Sequence, residues 1–103
     1  MRRCFFQFVM AAPLLSESEI QARVRRLSSE WSVEEAELKS VWKFRDFLEA
    51  IAFVNKLVDP AEAAGHHPDL FISYNRVHIA LTTHDSGGLT DQDFDLAEII
   101  SKL

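Results

Sequence analysis

Three of the four histidines, His66, His67 and His84, fall within about 20 residues of one another, close to Glu62 and at places where the chain changes direction. An imidazole titrates near neutral pH and can give or take a proton there. Several of them converging on one cleft beside a carboxylate would form a general acid/base site. A single histidine is more often a surface or satisfied core residue, so it is the grouping that points to chemistry. A metal site is a second reading of the same residues. Glu62 and His66 stand at i, i+4 on one helix face, and His84 would complete a three-ligand set. The fourth histidine, His78, projects from a strand opposite Val77 and Ile79 and reads as structural.

Three helices and four strands must hold these residues. Ser16 can cap a first helix, with Glu19 three residues on completing a capping box. Ile20, Val24 and Leu27 then share a face, which leaves Arg23, Arg25 and Arg26 for solvent. Trp31 to Phe44 reads as a hairpin turning at Glu34-Glu35, although Glu34 to Lys39 also suits a helix. Trp31 and Val33 would face one way on its first strand, and Leu38, Ser40, Trp42 and Phe44 one way on its second. A long helix follows, with Phe47, Leu48, Ile51, Val54, Leu57 and Val58 as the stripe that covers the sheet and Phe53 lying off it.

Pro60 predicts a bend or break between Leu57 and Ala61, because it cannot donate a helical hydrogen bond. Asp59 is a candidate cap for a fresh turn there, with Pro60 first and Glu62 third. Gly65 suits the left-handed closing residue of a helix, and Pro68 pushes His67 into extended backbone. Leu70 to Tyr74 and Val77 to Thr82 read as a second hairpin turning at Asn75-Arg76. A flexible Ser86-Gly87-Gly88 then leads to a helix capped by Thr90 and Asp93, with Phe94, Ala97 and Ile100 on its buried face and Leu103 as a further candidate. The expected class is α+β: one four-stranded antiparallel sheet with three helices on one face, in the order α-β-β-α-β-β-α.

Composition narrows the function classes. With 16 acidic against 11 basic residues the net charge is −5, which argues against binding to nucleic acid backbones. The lone Cys4 cannot form an internal disulfide and suits a reducing, intracellular setting, expected to be the cytoplasm with the nucleus or an organelle as alternatives. No apolar run reaches the length of a membrane span. Residues 1–12 are expected to be a flexible extension, only faintly like a targeting segment, and residues 13–103 a single domain. An open sheet face and a wide apolar stripe together predict a homo-oligomer.

The stretch EAAGHHPDLFISYNRVHIALTTHDSGGLTDQD, residues 62–93, resembles the pterin-4a-carbinolamine dehydratases. It has a carboxylate four residues before His-His-Pro, an aromatic six after the proline, a histidine ten after that, and then Asp93. Trp42-Lys43-Phe44-Arg45-Asp46-Phe47 resembles the family's entry into its long helix, and the likeness covers residues 14–103. It implies dehydration of 4a-hydroxytetrahydrobiopterin to quinonoid dihydrobiopterin, the recycling step after aromatic amino acid hydroxylation, without metal or organic cofactor. By carry-over, His66, His67 and His84 are the catalytic candidates, with Glu62, Gly65, Thr82, Thr83 and Asp85 around the pterin. Leu70 stands where the family often has tryptophan, and Pro60 falls inside its long helix. The resemblance also implies dimers or tetramers, and the rival reading is a non-catalytic interaction module, a coactivator or assembly factor on the same fold.

Overall fold

Two antiparallel hairpins form the sheet in a computed structural model that describes residues 11–103. The expected extension over residues 1–12 lies almost wholly outside the described residues. Strands β1 (Trp31–Glu34) and β2 (Glu37–Lys43) make the first hairpin, and β3 (Asp69–Ser73) and β4 (Arg76–Leu81) the second. The sheet order is β1-β2-β4-β3, so β2 and β4 are central. Helices α1 (Glu17–Arg25), α2 (Phe47–Lys56), α3 (Val58–Ala64) and α4 (Asp91–Ile100) complete the chain, α2 and α3 being the long helix broken once. The α+β class and the element order are as expected.

Strand faces follow the alternation of the sequence. Trp31 pairs with Ser40 and Val33 with Leu38, which puts all four on the core side. Val77, Ile79 and Leu81 are buried from β4. Ser40 tolerates burial because its hydroxyl accepts the Trp42 indole N–H at 2.8 Å, just as Ser101 accepts that of Trp31 at 2.8 Å. Phe94, Leu96, Ala97 and Ile100 bury α4 against this layer. Leu103 remains exposed and does not join them, since α4 ends at Ile100.

Both turns are displaced by one residue from the expected positions, the first later and the second earlier. The first is Glu35-Ala36 and the second Tyr74-Asn75, because Glu34 pairs with Glu37 and Ser73 with Arg76. Glu35 and Tyr74 take positive φ, 57° and 54°, a region that their side chains do not advertise.

The long helix departs further. Its core-facing residues are Ala50, Phe53, Leu57 and Ala61, with Val54 partly buried, whereas Phe47, Leu48 and Val58 stay exposed. At 100° per residue, that turns the helix by about a quarter turn from the expected stripe. Phe53 draws it round by packing on Phe44 and Trp42, with ring centroids 4.9 and 5.9 Å away. Two alanines on the same face let the helix approach the sheet closely.

The proline break occurs at Leu57, the near limit of the expected window. Pro60 has no N–H for the Lys56 carbonyl, and the Leu57 N–H bonds back only three residues, to Val54. The backbone stays right-handed through Leu57, so no new cap is required. Asp59 accordingly lies inside α3 and caps nothing.

The capping box of Ser16 and Glu19 forms at α1. Arg23 is not left to solvent. Its guanidinium reaches Asp91, Asp95 and Glu98 at 2.7, 2.9 and 3.0 Å and lies 5.3 Å from the Phe94 ring centroid. The three carboxylates stand at i, i+4 and i+7 on α4, so one arginine ties α1 along two turns of it. Burial acts to lower the Arg23 pKa, but bonds to Asp95 and Glu98 outweigh it and hold the value above the ordinary one.

Candidate active site

The histidine pair lies just past α3. Gly65 closes that helix in left-handed backbone at φ 61°, and the His66 N–H bonds the Ala61 carbonyl. The chain then runs through Pro68 into β3. On the neighbouring strand, β4 ends at Leu81 and leads through Thr82 and Thr83 to a 3₁₀ turn, His84–Ser86. Since Asp69 pairs with Ala80, the segments 66–68 and 81–84 leave the same end of the β3–β4 hairpin.

Asp93 joins them. It is fully buried in the first turn of α4, where its Oδ2 accepts the Thr90 N–H at 2.9 Å as half of a capping box. The same Oδ2 accepts the Thr83 hydroxyl at 2.9 Å, and Oδ1 lies 2.6 Å from His66 Nε2. One carboxylate therefore ties the His-His-Pro segment to the Thr-His-Asp segment. His66 and Thr83 are themselves buried, at 8% and 5% exposure.

His67 is arranged differently. Its Nε2 lies 2.6 Å from Glu62 Oε2, with both side chains more than half exposed. The left-handed Gly65 puts His66 off the helix that carries Glu62, so the two do not share a helix face. Glu62 partners His67 and His66 partners Asp93, which undoes the three-ligand metal reading. Among the described residues no group of three His, Cys, Asp or Glu side chains is placed to hold a metal ion.

His84 opens the 3₁₀ turn and is exposed, as is Asp85. The segment Ser86-Gly87-Gly88, expected as a flexible link, is a closed turn instead. The Thr83 carbonyl accepts from the N–H groups of Ser86 and Gly87, and the Thr83 N–H bonds the Gly88 carbonyl at 3.0 Å. Thr82 directs its hydroxyl to the Ala36 carbonyl at 2.8 Å, holding the β1–β2 turn. His78 lies on the open face of the sheet, 5.4 Å from the Phe71 ring and away from the other three histidines. A concavity of about 700 Å³ lies on that open face among Val41, Phe71, His78 and Ala80 and does not include His66, His67 or His84.

Asp93 was absent from the site residues that sequence reasoning selected. Its place in the local Thr90 capping box accounted for it completely, and only the fold brings His66 to its second oxygen. Its spacing after His84 within the resemblance was the one signal available.

The profile of the family described as Pterin 4 alpha carbinolamine dehydratase matches residues 13–103. A protein of Nostoc sp. (strain PCC 7120), provisionally named a pterin-4-alpha-carbinolamine dehydratase, is 60% identical over 89% of this chain and 98% of its own length. One from Cyanothece sp. (strain PCC 7425) with the same provisional name is 62% identical over 89% and 94%. A crystal structure described as a transcriptional coactivator/pterin dehydratase from Brucella melitensis superposes with a TM-score of 0.81, at 33% identity, over 85% of this chain and 95% of that one. A pterin dehydratase-like RuBisCO assembly factor of the alpha-carboxysome, at TM-score 0.58 and 19% identity, shares the fold. This chain belongs to the pterin-4-alpha-carbinolamine dehydratase family.

Proposed function

We propose that this protein dehydrates 4a-hydroxytetrahydrobiopterin to quinonoid dihydrobiopterin by histidine acid/base catalysis, in tetrahydrobiopterin recycling in the cytoplasm. The observation that carries this reading is the buried Asp93 carboxylate, which fixes His66 and the segment leading to His84 at one end of the same hairpin. Loss of water needs a proton delivered to the departing 4a-oxygen and one removed from the adjacent ring nitrogen. Two imidazoles suit the two transfers, each contributing roughly 10²–10⁴-fold. His66 and His84 take these roles, while the exposed His67, oriented by Glu62, contacts the pterin. Gly65, Thr82, Thr83 and Asp85 form the walls, Thr82 and Thr83 through atoms other than their committed hydroxyls. No metal or organic cofactor is needed for this step.

Exposed Phe47, Leu48 and Val58 on the long helix support a homo-oligomer, since such residues are hidden when a second copy covers them. The same surface favours the rival reading, an interaction module without catalysis. The test is turnover of a carbinolamine generated in situ by the purified protein. A rate above the spontaneous one that His84→Ala abolishes supports the enzyme, and no rate above background supports the module.

A further inference from the structure

The two threonines beside Asp93 form an ordered chain of hydroxyls. Thr83 has one hydroxyl proton, and its Oγ1 lies 2.9 Å from Asp93 Oδ2, an oxygen that accepts and does not donate. The Thr83 proton is therefore committed to Asp93. Thr83 Oγ1 also lies 2.8 Å from Thr90 Oγ1, so in that bond the proton comes from Thr90. Thr90 Oγ1 is free to give it, because the oxygen in turn accepts the Gln92 N–H at 3.2 Å. Thr90, Thr83 and Asp93 are all buried, so each of these bonds forms away from competing water.

We propose that Thr83 and Thr90 are positioning residues that fix the proton on His66. With Oδ2 held by the Thr83 hydroxyl and the Thr90 N–H, the carboxylate cannot rotate, and Oδ1 is presented to His66. Neutral His66 must then carry its proton on Nε2 and donate it to Oδ1, which leaves Nδ1 bare as the nitrogen that takes a proton from substrate. The proposal rests on the dehydratase reading for its consequence in catalysis, but not for the proton arrangement. It also gives Thr83 a task beyond lining the pterin: its hydroxyl works inward, on Asp93.

Two measurements test it. The first needs no substrate: long-range proton–nitrogen correlation spectra of ¹⁵N-labelled protein, recorded where His66 is neutral. Wild type should give the single Nε2–H pattern for His66, and Thr83→Val should give averaged shifts on both ring nitrogens. A wild-type pattern with the proton on Nδ1, or a Thr83→Val pattern identical to wild type, overturns the proposal. The second is steady-state dehydration. Thr83→Val should lose about tenfold or more in kcat with KM changed less than about twofold, and Thr83→Ser should restore most of the loss, because it keeps the hydroxyl. Thr90→Val should show the same split with a smaller loss. Equal loss in Thr83→Ser and Thr83→Val would assign the effect to packing and overturn the positioning role. If Thr83→Val fails to fold, the wild-type spectrum and Thr83→Ser still decide. A wild type without dehydratase activity but with the Nε2–H pattern refutes the functional reading and keeps the proton arrangement.

Discussion

His66 and His67 are adjacent in the chain, and each has a carboxylate oxygen 2.6 Å from its Nε2. The two pairs are otherwise opposites. Asp93 is wholly buried and also bonded by Thr83 and Thr90, whereas Glu62 and His67 stand in solvent. Water competes for the exposed pair and salt screens it, so it contributes little to stability. Removing one partner of the buried pair leaves the other without water or a substitute donor. Equal distances thus conceal unequal consequences: one pair is a fixed part of the fold that holds the proposed catalytic His66, and the other is an adjustable contact at the rim.

The largest expected effect tests the buried side. Asp93→Asn keeps the shape and removes the charge, so it should destabilise by about 3 kcal/mol and cut dehydration at least about 100-fold. Urea unfolding and initial rates measure the two losses. His66→Ala should resemble it, because it orphans the Asp93 oxygen. His84→Ala comes next and separates the two consequences. Being exposed, it should leave stability within about 0.5 kcal/mol while raising the barrier by roughly 2–5 kcal/mol.

The exposed side should respond weakly. Glu62→Gln should change stability by less than about 1 kcal/mol and act mainly on KM, with an effect that shrinks in high salt. Equal destabilisation by Glu62→Gln and Asp93→Asn would erase the distinction between the pairs.

The capping boxes repeat the contrast on a smaller scale. Ser16 and Glu19 form an exposed box, Thr90 and Asp93 a buried one. The Ser16 backbone N–H bonds the Glu19 carboxylate and holds its pKa below the ordinary 4.5. A lowered folded pKa contributes stability that is present above 4.5 and is lost as pH falls below it. Glu19→Gln should therefore remove a small stabilisation near neutrality and none in acid, as seen by thermal melts at the two pH values.

The same contrast separates what was legible in the sequence from what was not. Both capping boxes and the strand faces could be read, because each depends on neighbours within a few residues. The turns slipped by one residue because Tyr74 and Glu35 occupy positive φ without being the residue types that favour it. The rotation of α2 was hidden, since an apolar count cannot tell a face that meets Trp42 and Phe44 from one that meets another chain. Arg23 looked like a solvent residue until α4 brought it three carboxylates from about 70 positions away. His66, His67 and His84 were legible by type and spacing. Their unequal burial was not, because it depends on Gly65 turning His66 away from α3 and toward Asp93.

The most direct test places Asp93→Asn, Glu62→Gln and the control His78→Ala beside wild type in one assay, the steady-state dehydration of a carbinolamine made in situ. His78 packs at a tilt against Phe71 on the open face of the sheet, away from the histidine pair, so His78→Ala should keep turnover within a few fold. Wild type should dehydrate the carbinolamine well above the spontaneous rate, Glu62→Gln should retain most of its kcat, and Asp93→Asn should lose about 100-fold or more. Wild-type kcat in Asp93→Asn, or a larger loss in Glu62→Gln, would contradict the claim that the buried pair holds the catalytic group.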